Sequence, residues 1–492
     1  MRNETQPGGV DDQILSLGDF DDNLTFRHAG LCSCLFLFDN RLDPAKLEVA
    51  LSTLIEMPGW RKLGARLRLN KNGRLELHIP QEFTPKRPAI RFSSAKHDFE
   101  RAKHSTASQL GSREETLWSA AVPHDLKSIL HGIGTPTTVE EFLQKDYPSL
   151  GLHIVQFTDS MTVTINWPHV LFDTLALADI LQAWMLVLKG HVDKIQTPFG
   201  SDFDPLANLG ASCEDRVTHS LINHQLSMPY LVSFGARTAL RYLRSKTEHR
   251  VVYIPAWHLR SIREETIGEL QSANPDQEMD FLSDGDILCA WWARHSVRHL
   301  DRSKDHGKSV VLSNAMSMRP ALQKDLLPCA QHPFIGNSTA IISTLLKAED
   351  VIDQPLGSTA TRIRQSIIDL RRREQVEAFA ALQRSSWKRI PPLFGDHKMH
   401  GIMISNWSKA KLFDIDFSGA LPDFAKTAQE PRSARPVFVL NDFTGGDFVE
   451  VVVVMGKDGQ GGYWLNCSTN KDRWPGIEAA MAAELKRHMD ET

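Results

Sequence analysis

The stretch Gly151-Leu-His-Ile-Val-Gln-Phe-Thr-Asp-Ser-Met-Thr-Val-Thr-Ile-Asn166 runs directly into Trp167-Pro168-His169-Val170-Leu171-Phe172-Asp173-Thr174. Apolar and polar residues alternate on both sides of Thr158-Asp159-Ser160, which predicts two strands joined by a tight turn. Trp-Pro then forces a bend, because proline restricts the residue before it and donates no backbone hydrogen bond. The apolar window Leu171 to Leu188 follows and predicts a buried helix. Asp173 and Asp179 inside it would be costly in lipid, so a membrane span is rejected. A strand that ends in a bend and opens a helix is a place where a rigid scaffold presents side chains.

Outward from this junction the same alternation of strands and helices continues. Residues 31–38, Leu-Cys-Ser-Cys-Leu-Phe-Leu-Phe, predict a strand, and Asp43-Pro44 opens a helix with Leu47, Ala50, Leu51 and Leu54 on one face. Residues 66–69 and 75–78 alternate around Asn70-Lys71-Asn72-Gly73, a hairpin signal. Residues 196–215 are rich in Pro, Gly and Asp and lack periodicity, as an interdomain linker does. Beyond it, a helix is expected at about 284–299, strands at 308–314 and 338–346, a helix at about 356–388 and dense strand signal from 401 to 468. Each half therefore reads as α/β, with no internal repeat at a fixed period.

The chain has 492 residues, 41% of them hydrophobic and 24% charged, which excludes a disordered protein and predicts two domains with their own cores. Lys plus Arg number 56 against 60 Asp plus Glu, a net charge of −4 that lacks the electrostatic footprint of a nucleic-acid binder. The start, residues 1–9, is polar and has no apolar core of a secretory signal, so a cytoplasmic location is expected. Cysteines at 32, 34, 213, 289, 329 and 467 have neither zinc nor redox spacing, so reduced, mostly buried thiols are expected.

Several chemical signals fail on spacing. Gly307-Lys308-Ser309 ends like a phosphate loop, but Arg302 stands where its first glycine is required. The glycines at 456–462 join two strands and offer no helix N-terminus. Arg371-Arg372-Arg373-Glu374 reads as a solvated helix face. What survives is His169-Val-Leu-Phe-Asp173, although with 20 histidines about one His-x-x-x-Asp is expected by chance. Its place at the strand-bend-helix junction favours function. A second account stays open, in which His169 only caps the junction and Asp173 balances the first helical turn.

Other segments add to the motif in order. His169 to Asp173 with its flanks resembles the active-site motif of the BAHD acyltransferases, which move acyl groups from coenzyme A thioesters to hydroxyls or amines. Arg41 to Leu47 and Leu63-Gly-Ala-Arg-Leu67 are similar to the family's N-terminal helix and its Ala-Gly-Arg-Leu stretch. Ser283 to Ala290 resembles the helix opening its second domain, and Ser317-Met-Arg-Pro320 with Phe334-Ile-Gly-Asn337 resembles its Arg-containing strand and Tyr-Phe-Gly-Asn element. Asp416-Phe417-Ser418-Gly419-Ala420 matches the second signature, Asp-Phe-Gly-Trp-Gly, in degraded form, with Ser405-Asn406-Trp407 before it. Thr174, Ser418, Gly419 and Ala420 depart from the family pattern, which puts local packing in question, and the whole looks more like the fungal branch than the plant one.

The resemblance implies an α/β fold of two chloramphenicol-acetyltransferase-like domains with mixed sheets, and an active site at their interface. It divides the chain into residues 1–205, a crossover linker 206–235, and residues 236–492. It implies His169 as general base, Asp173 pointing away from substrate and paired with Arg319, and Ser405 and Trp407 as groups that stabilise the oxyanion. Asp416 would be structural. Ser283, Lys409 and Lys411 are candidates for contacting coenzyme A, though both lysines read equally well as solvated surface. Acyl-coenzyme A would be a co-substrate, with no permanent cofactor or metal, and the partners would be small molecules of secondary metabolism, with no nucleic acid and no membrane. A monomer is expected. Two other readings are a protein of this fold that no longer transfers acyl groups and a condensation-domain-like enzyme; the latter would carry a second histidine where Pro168 stands.

Overall fold

The computed structural model describes residues 11–111, 115–211, 217–273, 281–300, 305, 307–328, 331–422, 434–445 and 450–490. Fifteen strands among them are, in chain order, β1 (Gln13–Ser16), β2 (Leu31–Phe38), β3 (Arg66–Leu69), β4 (Leu75–Ile79), β5 (Arg91–Lys96), β6 (Trp118–Ala121), β7 (Gly151–Gln156) and β8 (Met161–Pro168), then β9 (Thr247–Ile254), β10 (Ser309–Ser317), β11 (Thr339–Lys347), β12 (His400–Asn406), β13 (Phe438–Phe443), β14 (Glu450–Lys457) and β15 (Tyr463–Asn470). The helices used below are α1 (Leu24–Ala29), α2 (Pro44–Glu56), α3 (Thr174–Leu188), α4 (Met228–Arg244), α5 (Ala256–Ala273) and α6 (Asp284–Val297), followed by α7 (Arg319–Leu322), α8 (Leu356–Leu370), α9 (Arg373–Ser385) and α10 (Trp474–Asp490).

Two mixed sheets carry the molecule. One has the order β13-β2-β8-β7-β5, the other β11-β10-β12-β14-β15-β9-β6, and a small sheet β1-β4-β3 lies apart. In the first, β2 and β8 are buried along their whole length, as strands covered on both faces must be. The α2 and α3 helices pack together beside them, α2 started by Asp43, which caps the backbone N–H groups of Ala45 and Lys46, with Pro44 in its first turn. Strands β10, β12 and β14 run parallel, so their carboxyl ends, Ser317, Asn406 and Lys457, lie along one edge of the second sheet. In open α/β sheets that edge is where ligands collect.

Two strands cross the division read from sequence. β6, which comes before residue 205, pairs with β9 in the second sheet, and β13, from the far half of the chain, pairs with β2 in the first. The largest cluster of buried apolar side chains is accordingly shared: it runs from Leu35 and Ile165 in the first sheet to Val453, Met455 and Trp464 in the second.

Most elements expected from sequence occur with small shifts, and three differ. The ladder continues through Pro168, which pairs with Leu31, so the bend follows the proline; its missing N–H costs little at a strand end. The single helix expected at 356–388 is α8 and α9, because Arg372 adopts an extended backbone between them. The expected crossover 206–235 contains the first turns of α4, a helix with many exposed residues. Cys32, Cys34, Cys289 and Cys467 are free and buried, and burial pushes their thiols up; Cys213 and Cys329 lie outside the described residues. Among the described residues no helix is long and apolar enough to cross a membrane.

Candidate active site

The five residues from His169 to Asp173 form a loop tied at both ends. His169 N–H donates to Gly30 O at 3.0 Å, and Leu171 N–H closes a turn onto Pro168 O at 2.9 Å. Gly30 has φ +66, and a Cβ on it would lie 2.6 Å from Thr137 O and Thr444 Oγ1, so only glycine fits where the chain enters β2. From the second half of the chain, Asn337 Nδ2 donates to His169 O at 3.0 Å. The same Asn337 donates through both its N–H and its Nδ2 to Asp21 Oδ1, each at 2.8 Å. Burial raises the Asp21 carboxyl to about 7 and lowers Lys62 to about 8, each opposed by the attraction of the other.

Asp173 faces away from this. Its carboxylate caps α3 by accepting from Ala176 N–H at 3.1 Å, takes Ser338 N–H at 2.9 Å, and receives Arg319 Nη1 and Nη2 in a fork, both at 2.8 Å. Burial alone would raise its pKa, but the Arg319 charge and these hydrogen bonds outweigh burial and hold it below the usual carboxylate range. Arg319 is not in the strand where the resemblance put it. It opens the short helix α7 just beyond β10, a position set by Pro320, which suits a first helical turn. The guanidinium also donates to Phe334 O and Gly336 O and lies over the Phe334 ring, 5.4 Å from its centroid.

The His169 imidazole stacks on Phe26 of α1, with centroids 4.1 Å apart and planes at 9°, and on Phe443 of β13 at 5.9 Å and 18°. Burial lowers its pKa below the ordinary histidine value, because these apolar faces replace the water an imidazolium needs; Asp173 opposes the shift only in part. Its Nδ1 is buried and meets no hydrogen-bond partner among the described residues. Phe443 also meets Trp407 edge-on at 6.4 Å. Trp407, just beyond β12, donates its indole N–H to Ser405 Oγ at 2.9 Å. The indole has one donor, so that donor is committed to Ser405, whose own O–H proton remains available to something else.

The structure thus joins His169, Asp173, Arg319, Ser405 and Trp407 through direct contacts and the Phe443 bridge. Asp416 sits elsewhere, at the opposite end of α3. Lys189 Nζ donates to it at 2.9 Å and Ser418 N–H at 3.0 Å; burial would raise its pKa, but these donors hold it at about 2. The departures in that signature are locally packed. Phe417 is buried against Phe38 and Trp184, and a Cβ on Gly419 would stand 2.7 Å from Leu188 O, which explains a glycine there. Ser283 begins α6 with a reciprocal capping box: its Oγ and N–H both donate to Asp286, so its hydroxyl proton is spent locally. Lys409 and Lys411 are exposed just past β12, Lys411 with a left-handed backbone at φ +49.

Phe26, Phe443 and the Asp21–Asn337 link are absent from the residues singled out by sequence. Asn337 lies within a motif segment but carries no assigned role there, and nothing local marks Phe26 or Phe443, which reach His169 only through tertiary folding.

The family described as the Transferase family matches residues 126–459. Acetyltransferase adrJ of Penicillium roqueforti is 33% identical, over 95% of this chain and 95% of its own length. A protein of Penicillium decumbens named transcriptional regulator calD is 34% identical over 98% and 97%. The crystal structure of F. graminearum TRI101 complexed with coenzyme A and T-2 mycotoxin superposes with a TM-score of 0.69 at 13% identity, covering 95% of this chain and 97% of that one.

Proposed function

The chain belongs to the Transferase family as a fungal BAHD-type acyltransferase, and from that premise we propose that it moves an acyl group from an acyl-coenzyme A thioester to a hydroxyl of a small secondary metabolite. The names of its relatives favour an acetyl group. A thioester is already activated, so the chemistry requires a base for the acceptor, a donor for the developing oxyanion and correct positioning. No covalent acyl-enzyme is needed.

His169 takes the acceptor proton as the acceptor oxygen attacks the acyl carbonyl in a ternary complex. Its lowered pKa keeps the imidazole neutral, and so basic, at neutral pH. Ser405 O–H donates to the oxyanion, while Trp407 orients that hydroxyl by occupying its oxygen. When the tetrahedral intermediate collapses, the thiolate of coenzyme A leaves and the proton on His169 returns to it. Asp173 and Arg319 hold the loop and move no proton. Lys409 and Lys411 offer exposed charge for the coenzyme A phosphates; Ser283, already spent on its cap, is the weakest of the three candidates.

The observation that supports this reading is the run of ring contacts from His169 to Phe443 and on to Trp407, whose indole N–H meets Ser405 Oγ. The net charge of −4 gives no support to nucleic-acid contact, the role that the name of the Penicillium decumbens relative suggests. The test is His169→Ala with acetyl-coenzyme A and a panel of fungal metabolite alcohols, followed by free thiol release and product mass. A loss of about 10²–10⁴-fold is expected. Unchanged turnover overturns the mechanism.

A further inference from the structure

Helix α4 packs at the other edge of the second sheet. Just before it, Leu226 N–H donates to Leu393 O at 2.9 Å, and Pro229 suits its first turn. Phe234 is its buried anchor, packed with Val311 of β10 and Met399 just before β12. Val310 and Leu312 point to the opposite face of the sheet, into the core under α6 and α8. Val311 and Met399 stand at the amino ends of β10 and β12, whereas Ser405 stands near the carboxyl end of β12.

What α4 turns outward is apolar. Met228, Val232, Ala236, Ala239 and Leu243 follow at intervals of four, four, three and four residues, so they line one side of the helix from end to end. All are exposed, Met228 by 55%, Val232 by 65% and Leu243 by 85%. A contiguous exposed stripe of this kind marks an interaction surface. Charge narrows the choice of partner. Asp and Glu are absent from Val217 to Thr247, where Arg237, Arg241, Arg244 and Lys246 add four positive charges to a chain of net −4. The three arginines line an open pocket of about 390 Å³ with Leu240, Ser245 and Asn470.

We propose that α4 seats the protein on an anionic lipid surface, its apolar stripe entering the acyl boundary while exposed Arg237, Arg244 and Lys246 meet headgroup phosphates. A helix with basic residues on its polar side and an apolar stripe on the other lies in the membrane interface without crossing it. Surface seating therefore needs no spanning helix, and it revises the expectation from sequence that no membrane is involved. A second copy of the chain fits the stripe less well. A two-fold contact through α4 would bring the same positive charges against each other, whereas anionic headgroups neutralise them.

To test this, the full chain is sedimented with vesicles of phosphatidylcholine alone and with vesicles that also contain phosphatidylserine, at low and high salt. It is expected to pellet with the phosphatidylserine vesicles only, and to be released by high salt, which screens the attraction. Val232→Glu combined with Leu243→Glu, at unchanged circular dichroism, should lower the partition coefficient by about tenfold or more. If that variant fails to fold, Arg237→Gln combined with Arg244→Gln, which keeps the stripe, should also lose about tenfold. Absence of pelleting with phosphatidylserine overturns the proposal, as does equal pelleting with both vesicle types or undiminished binding by a folded variant. Sedimentation velocity reads the rival occupant. A dimer that ignores vesicles and is dissociated by Leu243→Glu overturns the proposal in favour of a second copy.

Discussion

Asp173 and Arg319 stand 146 positions apart in sequence and meet in a two-pronged ion pair, both contacts 2.8 Å, between the loop that carries His169 and the helix that follows β10. Removing one member of a buried pair leaves the other charge stranded, which typically costs about 3–5 kcal/mol. Arg319→Met is therefore expected to lose stability of that order in urea unfolding and to lose activity with it. Because Asp173 is held below its ordinary pKa, its contribution is present above about pH 3.9 and fades as the pH falls through the lower folded value. A variant of wild-type stability without activity would give the pair a direct chemical role.

His169 supplies the pH dependence. Its pKa is lowered, so kcat/KM is expected to be level above about pH 6.5 and to fall only at lower pH, as the imidazole takes a proton. Phe26→Ser admits water to one ring face, and the acid limb should then move upward toward the ordinary value. A wild-type limb above that value would contradict the desolvation account.

Ser405 and Trp407 act as a unit, and a double-mutant cycle reads that. Ser405→Ala should lower kcat by about 10²–10³-fold, the cost of one oxyanion donor. Trp407→Phe should cost less alone and add little on the Ser405→Ala background, because its N–H donates to Ser405 Oγ. Additive effects would mean that Trp407 touches the reacting atoms itself.

Asn337 links Asp21 to the carbonyl of His169. Asn337→Ala should lower kcat by about tenfold with KM little changed, since a small misplacement of a catalytic group costs up to 10²-fold. Initial-rate kinetics at fixed acetyl-coenzyme A check it, and a change confined to KM would assign Asn337 to substrate binding.

At Gly419, the surroundings allow no side chain. Gly419→Ala would drive a Cβ toward Leu188 O, 2.7 Å away, and should destabilise by about 1–3 kcal/mol. Denaturation in urea tests this; a neutral substitution would show that the segment relaxes freely.

The local signals proved the most legible. Residues 31–38, the hairpin at 66–79 and the helix after Asp43 follow from alternation, turn residues and a cap, and each occurs where expected. The Asp173–Arg319 contact came from resemblance, since no periodicity joins positions so far apart. The placement of Arg319 in a strand missed the helix that Pro320 starts. Strands β6 and β13 were illegible as to their sheets, because strands of four and six residues pair equally well with either edge until the tertiary fold chooses. Phe26 and Phe443 were hidden for the same reason: stacking on His169 leaves no mark on their own segments.

The exchanged strands make the two halves hostages of one another. A first half expressed alone would present β2 with a bare, largely apolar edge, the kind of surface that recruits other chains into aggregates. It would also lack Phe443, and His169 would lose one of the two rings that keep it neutral. The chain should consequently melt in a single transition, and attempts to dissect it into independent lobes should yield insoluble pieces.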